Sequence, residues 1–432
     1  MIKFAVTTLG CKVNTYESEG YIQALLDKGY QEVDFKEDAD VYIINTCTVT
    51  NMAASKSRQK IHQARKRNEK ALLVVVGCYV QTHSDQLKEK EQIDILVGSD
   101  GKHELANLIE KALQNRMFQS TVQTSRTGRA FEALPISRFH RQTRAFLKIQ
   151  DGCNQFCSYC IIPYARGLER SMGIDEVMQI AKNLVANGHL EIVLSGIHTG
   201  RYGHDKGTSL LELMKRMVCE IPGLQRIRIS SIELNEVSDE LLTFMKEEEK
   251  IAKHLHIPIQ SANDVVLKNM KRTYTLEKLM NRIAYIHDFI PNISISSDVI
   301  VGFPMESEEQ FLDTMHNIEK MKFSFLHVFP YSKRDNTVAA SMPGHLENKV
   351  KKERASKLAS LSTSLYNNYK QSFINKYVDV IFEKEENGYL FGHSSEYLPV
   401  YVKGPSSYLR TMKRVKVSAI MEEHLLAVLE EE

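Results

Sequence analysis

Apolar and polar positions follow three different rhythms along the chain. Through the first 110 residues, short and almost continuously apolar runs alternate with longer stretches of helical periodicity. The runs KFAVTTLG (3–10), DVYIINT (40–46), LLVVVG (72–77) and DILVG (94–98) predict strands. ESEGYIQALLDKG and the basic SKSRQKIHQARKRN between them predict helices. Strands apolar at nearly every position and separated by helices predict a parallel α/β sheet covered on both faces. From about 112 to 143 this rhythm stops, and Thr, Ser, Gln and Arg dominate, as in a linker or an extended clamp.

From Arg144 the alternation resumes. AFLKI (145–149), LEIVL (190–194), QRIRIS (225–230), HLHIPI (254–259), ISISSDVIV (293–301) and FSFLHVF (323–329) predict six strands with helices between them. Six such units fit a partial or closed β/α barrel better than an open sheet. Pro330 and Pro343 mark its exit, and a polar helical stretch, ENKVKKERASKLASLSTSLYNNYKQSF, follows. The third rhythm is five closely spaced short strands: YVDVIFE, GYLFGHS, YLPVYVK, RVKVSAI and HLLAVLEE. They predict a small antiparallel β-barrel of the oligonucleotide-binding general kind. The expected fold class is α/β, with a parallel α/β domain at 1–113, a linker at 114–138, a TIM-like partial barrel at 139–369 and a small β domain at 370–432.

Composition adds little to this picture. Of 432 residues, 43% are hydrophobic and 25% charged, which is ordinary for a globular chain. No apolar run approaches the roughly 20 residues a bilayer span needs. The N-terminus enters directly into a strand-like run without a leader pattern, so a cytoplasmic protein with no membrane role is expected. The net charge of +2 decides nothing, but its distribution is uneven. Met52–Lys70 carries seven Lys/Arg against Glu69, and Ala112–Gln150 carries seven against Glu132. Each run alone reads as a solvated face or linker; two of them flanking one domain point to a polyanion such as RNA.

The seven cysteines carry the chemistry. An odd number in a reducing compartment points to metal or redox sites rather than a disulfide framework. Cys153, Cys157 and Cys160 form Cys-x3-Cys-x2-Cys just after the first barrel strand, at the end of a barrel where active sites lie. Three thiolates on one loop suit a [4Fe–4S] cluster with one iron left open to another ligand. A three-cysteine zinc site completed by a histidine is the alternative, although no His closely follows Cys160.

That spacing, with an aromatic residue (Tyr159) before the last cysteine and a β/α barrel around it, resembles the radical S-adenosylmethionine (AdoMet) superfamily. The resemblance implies that the open iron binds AdoMet, and that one electron from the cluster cleaves it to a 5′-deoxyadenosyl radical. Candidate AdoMet-holding positions are Tyr159 and residues at or near strand ends: Ser195 and Gly196, Ser231 and Glu233, Gln260, and Asp298. Each alone reads as ordinary loop polarity. The loop with Gly200, Gly203 and Gly207 is suited to close backbone approach. His254 and His256 alternate with apolar residues and read as barrel-lining histidines rather than metal ligands.

Cys11, Cys47 and Cys78 are far apart in sequence, but each directly follows an apolar strand. In a parallel sheet those strand ends gather on one edge, so the three thiols are expected to converge. Cys219 sits in a helical pattern, LLELMKRMVCEI, and reads as a core residue.

Together these features resemble the methylthiotransferase branch of the superfamily over the whole chain. The resemblance implies an auxiliary [4Fe–4S] cluster on Cys11, Cys47 and Cys78, and a C-terminal β domain of the TRAM kind. It also implies AdoMet used twice, once for a methyl group and once for a radical. No protein acid or base is assigned a catalytic role. Thr8-Leu-Gly-Cys-Lys-Val-Asn14 and Gly196-Ile-His-Thr-Gly-Arg-Tyr-Gly203 resemble the MtaB type. Its substrate is N6-threonylcarbamoyladenosine at position 37 of tRNA, methylthiolated at C2. The alternatives are a ribosomal-protein aspartate methylthiotransferase, one acting on isopentenyladenosine in tRNA, and a non-enzymatic iron–sulfur RNA-binding protein. The implied partners are the tRNA anticodon loop, a low-potential electron donor such as flavodoxin or ferredoxin, and a sulfur donor. Arg201 or Arg272 can pair with the substrate carboxylate through a planar fork, with a surface salt bridge as the default for each. Lys376, Lys384, Lys403, Arg410, Lys413, Arg414 and Lys416 can give the C-terminal domain a phosphate-binding face, set against a mixed-charge surface that includes Glu383, Glu385, Glu386 and Glu430–Glu432. The target base must also leave its stack, at a cost of roughly a few kcal/mol.

Overall fold

The computed structural model describes residues 1–430 apart from Glu91, Thr124 and Arg141, and of Lys90 only the backbone. Arg141 of the second basic run, and Glu431 and Glu432 of the acidic end, lie outside the described residues. The first body is a six-stranded parallel sheet of β1 (Lys3–Thr8), β2 (Gln31–Glu32), β3 (Val41–Thr46), β4 (Leu72–Gly77), β5 (Ile95–Val97) and β6 (Gln119–Ser120). The spatial order is β2-β1-β3-β4-β5-β6. Helices α1 (Lys12–Asp27), α2 (Asn51–Arg67), α3 (Cys78–Lys90) and α4 (Leu105–Gln114) cover it. Strand residues part by the period of two. Val41, Ile43, Val74 and Val76 pack with Tyr16 and Leu25 of α1 and Ile109 of α4. Tyr42, Ile44, Leu73 and Val75 pack with Ala54, Ile61 and Ala64 of α2. Both faces are dry, which is why the runs are apolar throughout.

The stretch between sheet and barrel is a clamp. Leu134, Ile136 and Phe139 are buried in the core that the sheet shares with the barrel. Tyr16 Oη donates to the Leu134 carbonyl at 2.9 Å. Gly20 leaves the space that Leu134 fills: a Cβ there would lie 2.7 Å from the Leu134 Cβ.

Six parallel strands form the second body. β7 (Ala145–Lys148) leads into a short antiparallel pair, β8 (Gln150–Asp151) with β9 (Arg170–Ser171). The wall continues with β10 (Glu191–Ser195), β11 (Arg226–Ile229), β12 (His254–His256), β13 (Ser294–Val301) and β14 (Phe325–Pro330). Strands β7, β10 and β11 pair in one half and β12, β13 and β14 in the other. The halves join through Ala252 N to the Ile227 carbonyl and Ile232 N to the His256 carbonyl, each 2.9 Å. Helices α5 (Ile162–Arg166), α6 (Ile174–Ala186), α7 (Leu210–Glu220), α8 (Asp239–Glu247), α9 (Asp264–Asn269), α10 (Leu276–Phe289) and α11 (Glu308–Met321) lie between the strands. Helix α12 (Asn348–Gln371) packs on β14, and α1 packs on β7. Ser209, Ser238, Thr275 and Ser307 cap α7, α8, α10 and α11 by accepting from backbone N–H groups. Such caps contribute about 1 kcal/mol each. Cys219 departs from expectation and is exposed. The buried stripe of α7 is Leu210, Leu213, Met214 and Met217, and Cys219 falls two residues past it on the far side.

The third body is a closed barrel of β15 (Tyr377–Glu386), β16 (Tyr389–Ser394), β17 (Pro399–Val402), β18 (Met412–Met421) and β19 (His424–Leu429), in the order β15-β16-β17-β19-β18. It is not wholly antiparallel: β17 and β19 close it as a parallel pair, because the chain crosses through β18 between them. This barrel seals the strand-start end of the larger one. Glu191, at the first position of β10, holds Arg226 at 3.2 Å and Arg228 at 2.7 Å. Arg226 also donates to the carbonyls of Asp379 (2.8 Å) and His393 (3.1 Å), and Arg228 to those of Ser394 and Ser395 (3.0 Å each). Burial disfavours the Glu191 carboxylate, but Arg228 and Arg226 outweigh it and hold its pKa at about 2, against an ordinary 4.5.

Glu191→Gln strands two arginines in a dry seam and is expected to cost about 3–5 kcal/mol in urea denaturation. Because the folded pKa is depressed, the wild-type contribution is complete above pH 4.5 and lost as pH falls toward 2. A variant whose acid sensitivity over that window matches the wild type would contradict the assignment.

Candidate active site

Cys11, Cys47 and Cys78 follow β1, β3 and β4, which are neighbours in the sheet. The register pairs Thr8 with Asn45 and Thr46 with Gly77, so the three cysteines leave adjacent strands at nearly the same level. Gly10 (φ 109°) and Gly77 (φ 105°) make the turns, and both are needed there. A Cβ on Gly10 would lie 3.0 Å from the Cys47 Sγ, and one on Gly77 2.8 Å from the Thr46 carbonyl oxygen. Asn14 staples the two loops: its Nδ2 donates to the carbonyls of Leu9 (2.6 Å) and Thr46 (3.1 Å). Burial, with Cys78 beside it, pushes the Cys47 thiol up to about 12, and burial raises Cys78 against the pull of Arg166. Metal binding here must expel protons, so loading is favoured as pH rises.

Arg166 was not singled out from the sequence, and it is the centre of the site. Fully buried, it donates from Nε to the Cys78 Sγ at 3.2 Å and from Nη2 to the Asn14 Oδ1 at 2.7 Å. Its Nη1 reaches Glu17 at 3.0 Å and Asp151 at 3.2 Å. Those two carboxylates also hold Lys148, at 3.0 and 2.7 Å. Glu17 takes Lys102 (2.6 Å), Asp151 takes Arg170 (3.3 Å), and Asp100 joins Arg170 (3.2 Å) to Arg129 (2.7 Å). Five cations therefore meet three carboxylates in a dry interior, and the surplus positive charge lies next to the thiols. The Lys and Arg residues hold Glu17 and Asp151 far below the usual carboxylate range despite burial.

Arg166 lies six residues beyond Cys160, so the segment that follows one cysteine trio supplies a donor to the other. Cys153, Cys157 and Cys160 sit on the loop after β8. Burial pushes the Cys160 thiol up to about 12 and raises Cys157 against the pull of Arg272. Arg272 Nη1 points at the Cys157 Sγ (3.6 Å) while its fork engages Glu233, the Tyr274 hydroxyl and the Pro258 carbonyl. His198, remote in sequence, sets its Nδ1 3.7 Å from the Cys153 Sγ and its Nε2 2.7 Å from Glu236. Burial opposes its charge, but the bonds to Cys153 and Glu236 raise its pKa to about 10. A zinc ion bound tetrahedrally holds sulfurs about 3.8 Å apart. Among the described residues, only His256, Asp298 and His327 bring three ligand atoms within 4.8 Å of one another. Neither cysteine trio brings its three sulfurs within 4.8 Å of one another.

The remaining strand-end residues spread around the barrel. Ser195 is buried and donates to the Val193 carbonyl, and Gly196 faces the Gln150 side chain. Ser231 is half-buried after β11. Glu233 is bound to Arg272, so it positions that arginine. Gln260, at φ 67°, extends the ladder beside β13, and Tyr159 packs beside Met270 and Phe303. Asp298 is half-buried 3.3 Å from His256 Nε2, and Ser296 bonds both His256 (2.9 Å) and His254 (3.1 Å). The glycine loop is not open to a ligand at two positions, since Gly200 abuts Glu236 and Gly203 abuts Thr208. Arg201 is paired with Glu169 at 2.9 Å.

The second basic run is divided: Arg129, Arg144 and Lys148 are drawn inward, while Arg116, Arg126 and Arg138 stay exposed. Arg116, Arg129, Arg144 and Lys148 pair with Asp94, Asp100, Glu383 and Glu17. Helix α2 keeps a basic outer face with Arg58, His62 and Lys66 lining a shallow groove. On the small barrel, Lys403, Arg410, Arg414 and Lys416 are exposed. Lys384 is paired with Glu386, and Lys376 reaches Asn292.

Residues 3–98 match a family described as uncharacterized protein family UPF0004, and residues 147–318 match the Radical SAM superfamily. The chain is similar to the threonylcarbamoyladenosine tRNA methylthiotransferase MtaB of Bacillus subtilis (strain 168), at 42% identity over 96% of this chain and 94% of that protein. It is 39% identical to the MtaB of Aquifex aeolicus (strain VF5), over 83% and 88% of the two chains. It is 32% identical to the tRNA-2-methylthio-N(6)-dimethylallyladenosine synthase of Alkaliphilus oremlandii (strain OhILAs), over 96% and 90%. Among solved structures, the radical S-adenosylmethionine methyltransferase TsrM from Kitasatospora setae superposes with a TM-score of 0.57 at 15% identity, covering 79% of this chain and 74% of that one. At that identity the likeness concerns fold alone.

Arg166→Met removes buried hydrogen bonds to Glu17, Asp151, Asn14 and Cys78, although each carboxylate keeps two other cations, with an expected loss of about 1.5–3 kcal/mol. Arg201→Met breaks a partly exposed pair and is expected to cost under about 1 kcal/mol. Equal shifts of the two urea midpoints would contradict this ranking.

Proposed function

The chain belongs to the radical AdoMet methylthiotransferase family, and we propose that it inserts a methylthio group at C2 of N6-threonylcarbamoyladenosine at position 37 of tRNA. One observation carries the reading. Arg166 lies six residues beyond Cys160 and bonds Cys78 of the other cysteine trio, so the segment that follows one trio reaches the other. In this proposal Cys153, Cys157 and Cys160 hold the [4Fe–4S] cluster that binds AdoMet, and Cys11, Cys47 and Cys78 hold the auxiliary [4Fe–4S] cluster. The surplus of buried cations fits the second assignment, since cluster-bound thiolates bring negative charge to that place. When bound, the clusters and AdoMet supply a carbon radical that takes hydrogen from an unactivated C–H, together with the methyl group and sulfur that replace it.

The chain's own residues do the positioning. Arg272 and His198 hold Cys157 and Cys153 in place, each backed by a carboxylate, Glu233 and Glu236. Tyr159, Ser195, Gly196, Ser231, Gln260 and Asp298 line the proposed AdoMet path, with Glu233 acting through Arg272. The small barrel seals the far end of the lumen, which keeps water from a reactive radical. The exposed Lys403, Arg410, Arg414 and Lys416, with the outer face of α2, are the proposed holds for tRNA phosphates. A low-potential electron donor such as flavodoxin or ferredoxin, a separate sulfur donor and a cytoplasmic location complete the reading. So does a division at 1–113, 114–138, 139–369 and 370–432.

Nucleoside mass spectrometry of tRNA from a strain lacking the gene tests the substrate. The methylthio form of threonylcarbamoyladenosine should disappear and its unmethylthiolated precursor accumulate; loss of the isopentenyl counterpart instead would transfer the protein to the other tRNA branch. Anaerobically reconstituted protein should bind about eight irons per chain and, when reduced with AdoMet, release 5′-deoxyadenosine. About four irons would remove the auxiliary cluster from the account.

A further inference from the structure

The segment that leaves the barrel after β14 touches both cysteine loops. Tyr331 N donates to the Val301 carbonyl at 2.9 Å, which ties the segment to the end of β13. Further on, Ala339 N donates to the Ser158 carbonyl at 2.8 Å. Ser158 stands between Cys157 and Cys160, and its own N donates to the Met270 carbonyl at 3.1 Å. Ala339 is fully buried in a cluster with Val266, Met270, Phe303 and Tyr331. One end of the segment is thus fastened to the Cys153–Cys160 loop.

The other end reaches the sheet. Arg334 is buried and forks onto the loop that follows Cys47: Nη2 donates to Thr48 Oγ1 at 2.8 Å, and Nη1 to Asn51 Oδ1. Ser332 Oγ accepts from Asn51 N at 3.0 Å. Thr48 Oγ1 lies 3.2 Å from Thr82 Oγ1, and Thr82 Oγ1 donates to the Cys78 carbonyl at 3.1 Å. Each hydroxyl accepts one hydrogen bond and donates the next, so a chain runs from the guanidinium through Thr48 and Thr82 to Cys78. Unlike Arg166, which meets Glu17 and Asp151, Arg334 gives its fork to neutral acceptors beside the cysteines. Between the two ends, Thr337 Oγ1 closes a turn by donating to the Arg334 carbonyl at 2.6 Å. Arg334 and Ala339 are five positions apart, so even an extended chain would span at most roughly 18 Å between them.

We propose that Arg334 is a positioning residue that fixes the Cys11, Cys47 and Cys78 site against the Cys153, Cys157 and Cys160 site, and so couples radical formation to sulfur transfer. The inference rests on the two-cluster reading above. In that reading the carbon that loses hydrogen must receive sulfur from the other site, so the two sites have to stand at a fixed separation. A short segment fastened to both loops holds that separation, and Arg334 is its grip on the sheet.

The test uses full-length enzyme reconstituted with both clusters and an anticodon stem-loop RNA carrying N6-threonylcarbamoyladenosine. The methylthio nucleoside formed per 5′-deoxyadenosine released is compared across variants. Arg334→Gln is expected to lower that ratio by roughly ten- to a hundredfold, the scale of a misplacement of about 1 Å. Arg334→Lys keeps the charge but not the fork, and should fall between Arg334→Gln and wild type. A second readout needs no turnover. Amide hydrogen exchange over residues 47–53 should quicken by roughly tenfold or more in Arg334→Gln, because a charged donor is lost there, while exchange in the small barrel stays as in wild type. A product ratio that Arg334→Gln leaves unchanged, or exchange over 47–53 that it leaves unchanged, overturns the proposal. If Arg334→Gln does not bind about eight irons, Thr48→Val, which removes one acceptor and breaks the chain to Cys78, carries both comparisons. About four irons in the wild type would remove the two-cluster reading itself, whereas about eight irons with an unchanged ratio removes only the role of Arg334.

Discussion

The arrangement of the molecule depends on the charge network buried between the sheet and the barrel. Glu17 comes from α1, Lys102 from the start of the α4 region, Lys148 and Asp151 from the first barrel strand and its extension, and Arg166 from the helix after the cysteine loop. Charges this deep add little net stability, because desolvation offsets their attraction. They do impose geometry. Any sliding of sheet against barrel would leave a carboxylate or a guanidinium dry and unpaired, so one docking is strongly selected. Apolar contacts alone, such as Leu134 against Gly20, would tolerate more neighbouring arrangements.

That docking links structure to chemistry. Arg166 is at once the partner of Glu17 and Asp151 and the donor to Cys78, so sheet position and thiol environment are set by one side chain. The seam at the opposite end works in the same way. Glu191 between Arg226 and Arg228 fixes the small barrel beneath the lumen, and Tyr397 of that barrel then faces His254 and Arg228. Three bodies thereby meet at the barrel: the sheet brings three cysteines, the barrel brings the second cysteine trio and the wall, and the small barrel brings the floor.

Much of this architecture is legible in the residue pattern. LLVVVG corresponds to β4 residue for residue, and ISISSDVIV to β13 within one residue. Periodicity reports burial, and burial is what these strands have in common. The same logic misled at Cys219, where an apolar-looking helix offers more hydrophobic positions than its buried stripe uses. At the basic run of 112–150, composition counts charges without showing where their partners lie, so it does not separate Arg129, Arg144 and Lys148, paired inside, from the exposed Arg116, Arg126 and Arg138. The zinc reading and the reach of Arg201 and Arg272 were open for a similar reason, since sequence separation says nothing of spatial distance.

By itself the sequence determined the order and type of elements, the six-strand alternation of the barrel, the compact Cys-x3-Cys-x2-Cys loop and the placement of three further cysteines at strand ends. These follow from local periods of 2 and 3.6 residues and from contiguous motifs, which need no knowledge of distant segments. Only the tertiary structure decided that β1, β3 and β4 are neighbours, so that Cys11, Cys47 and Cys78 share one edge. It alone brought His198 to Cys153 and Arg166 to Cys78, 45 and 88 residues apart. The physical reason is the same in each case: side-chain charge and thiol chemistry act over a few ångströms of space, and space at that scale is set by packing between elements rather than by order along the chain.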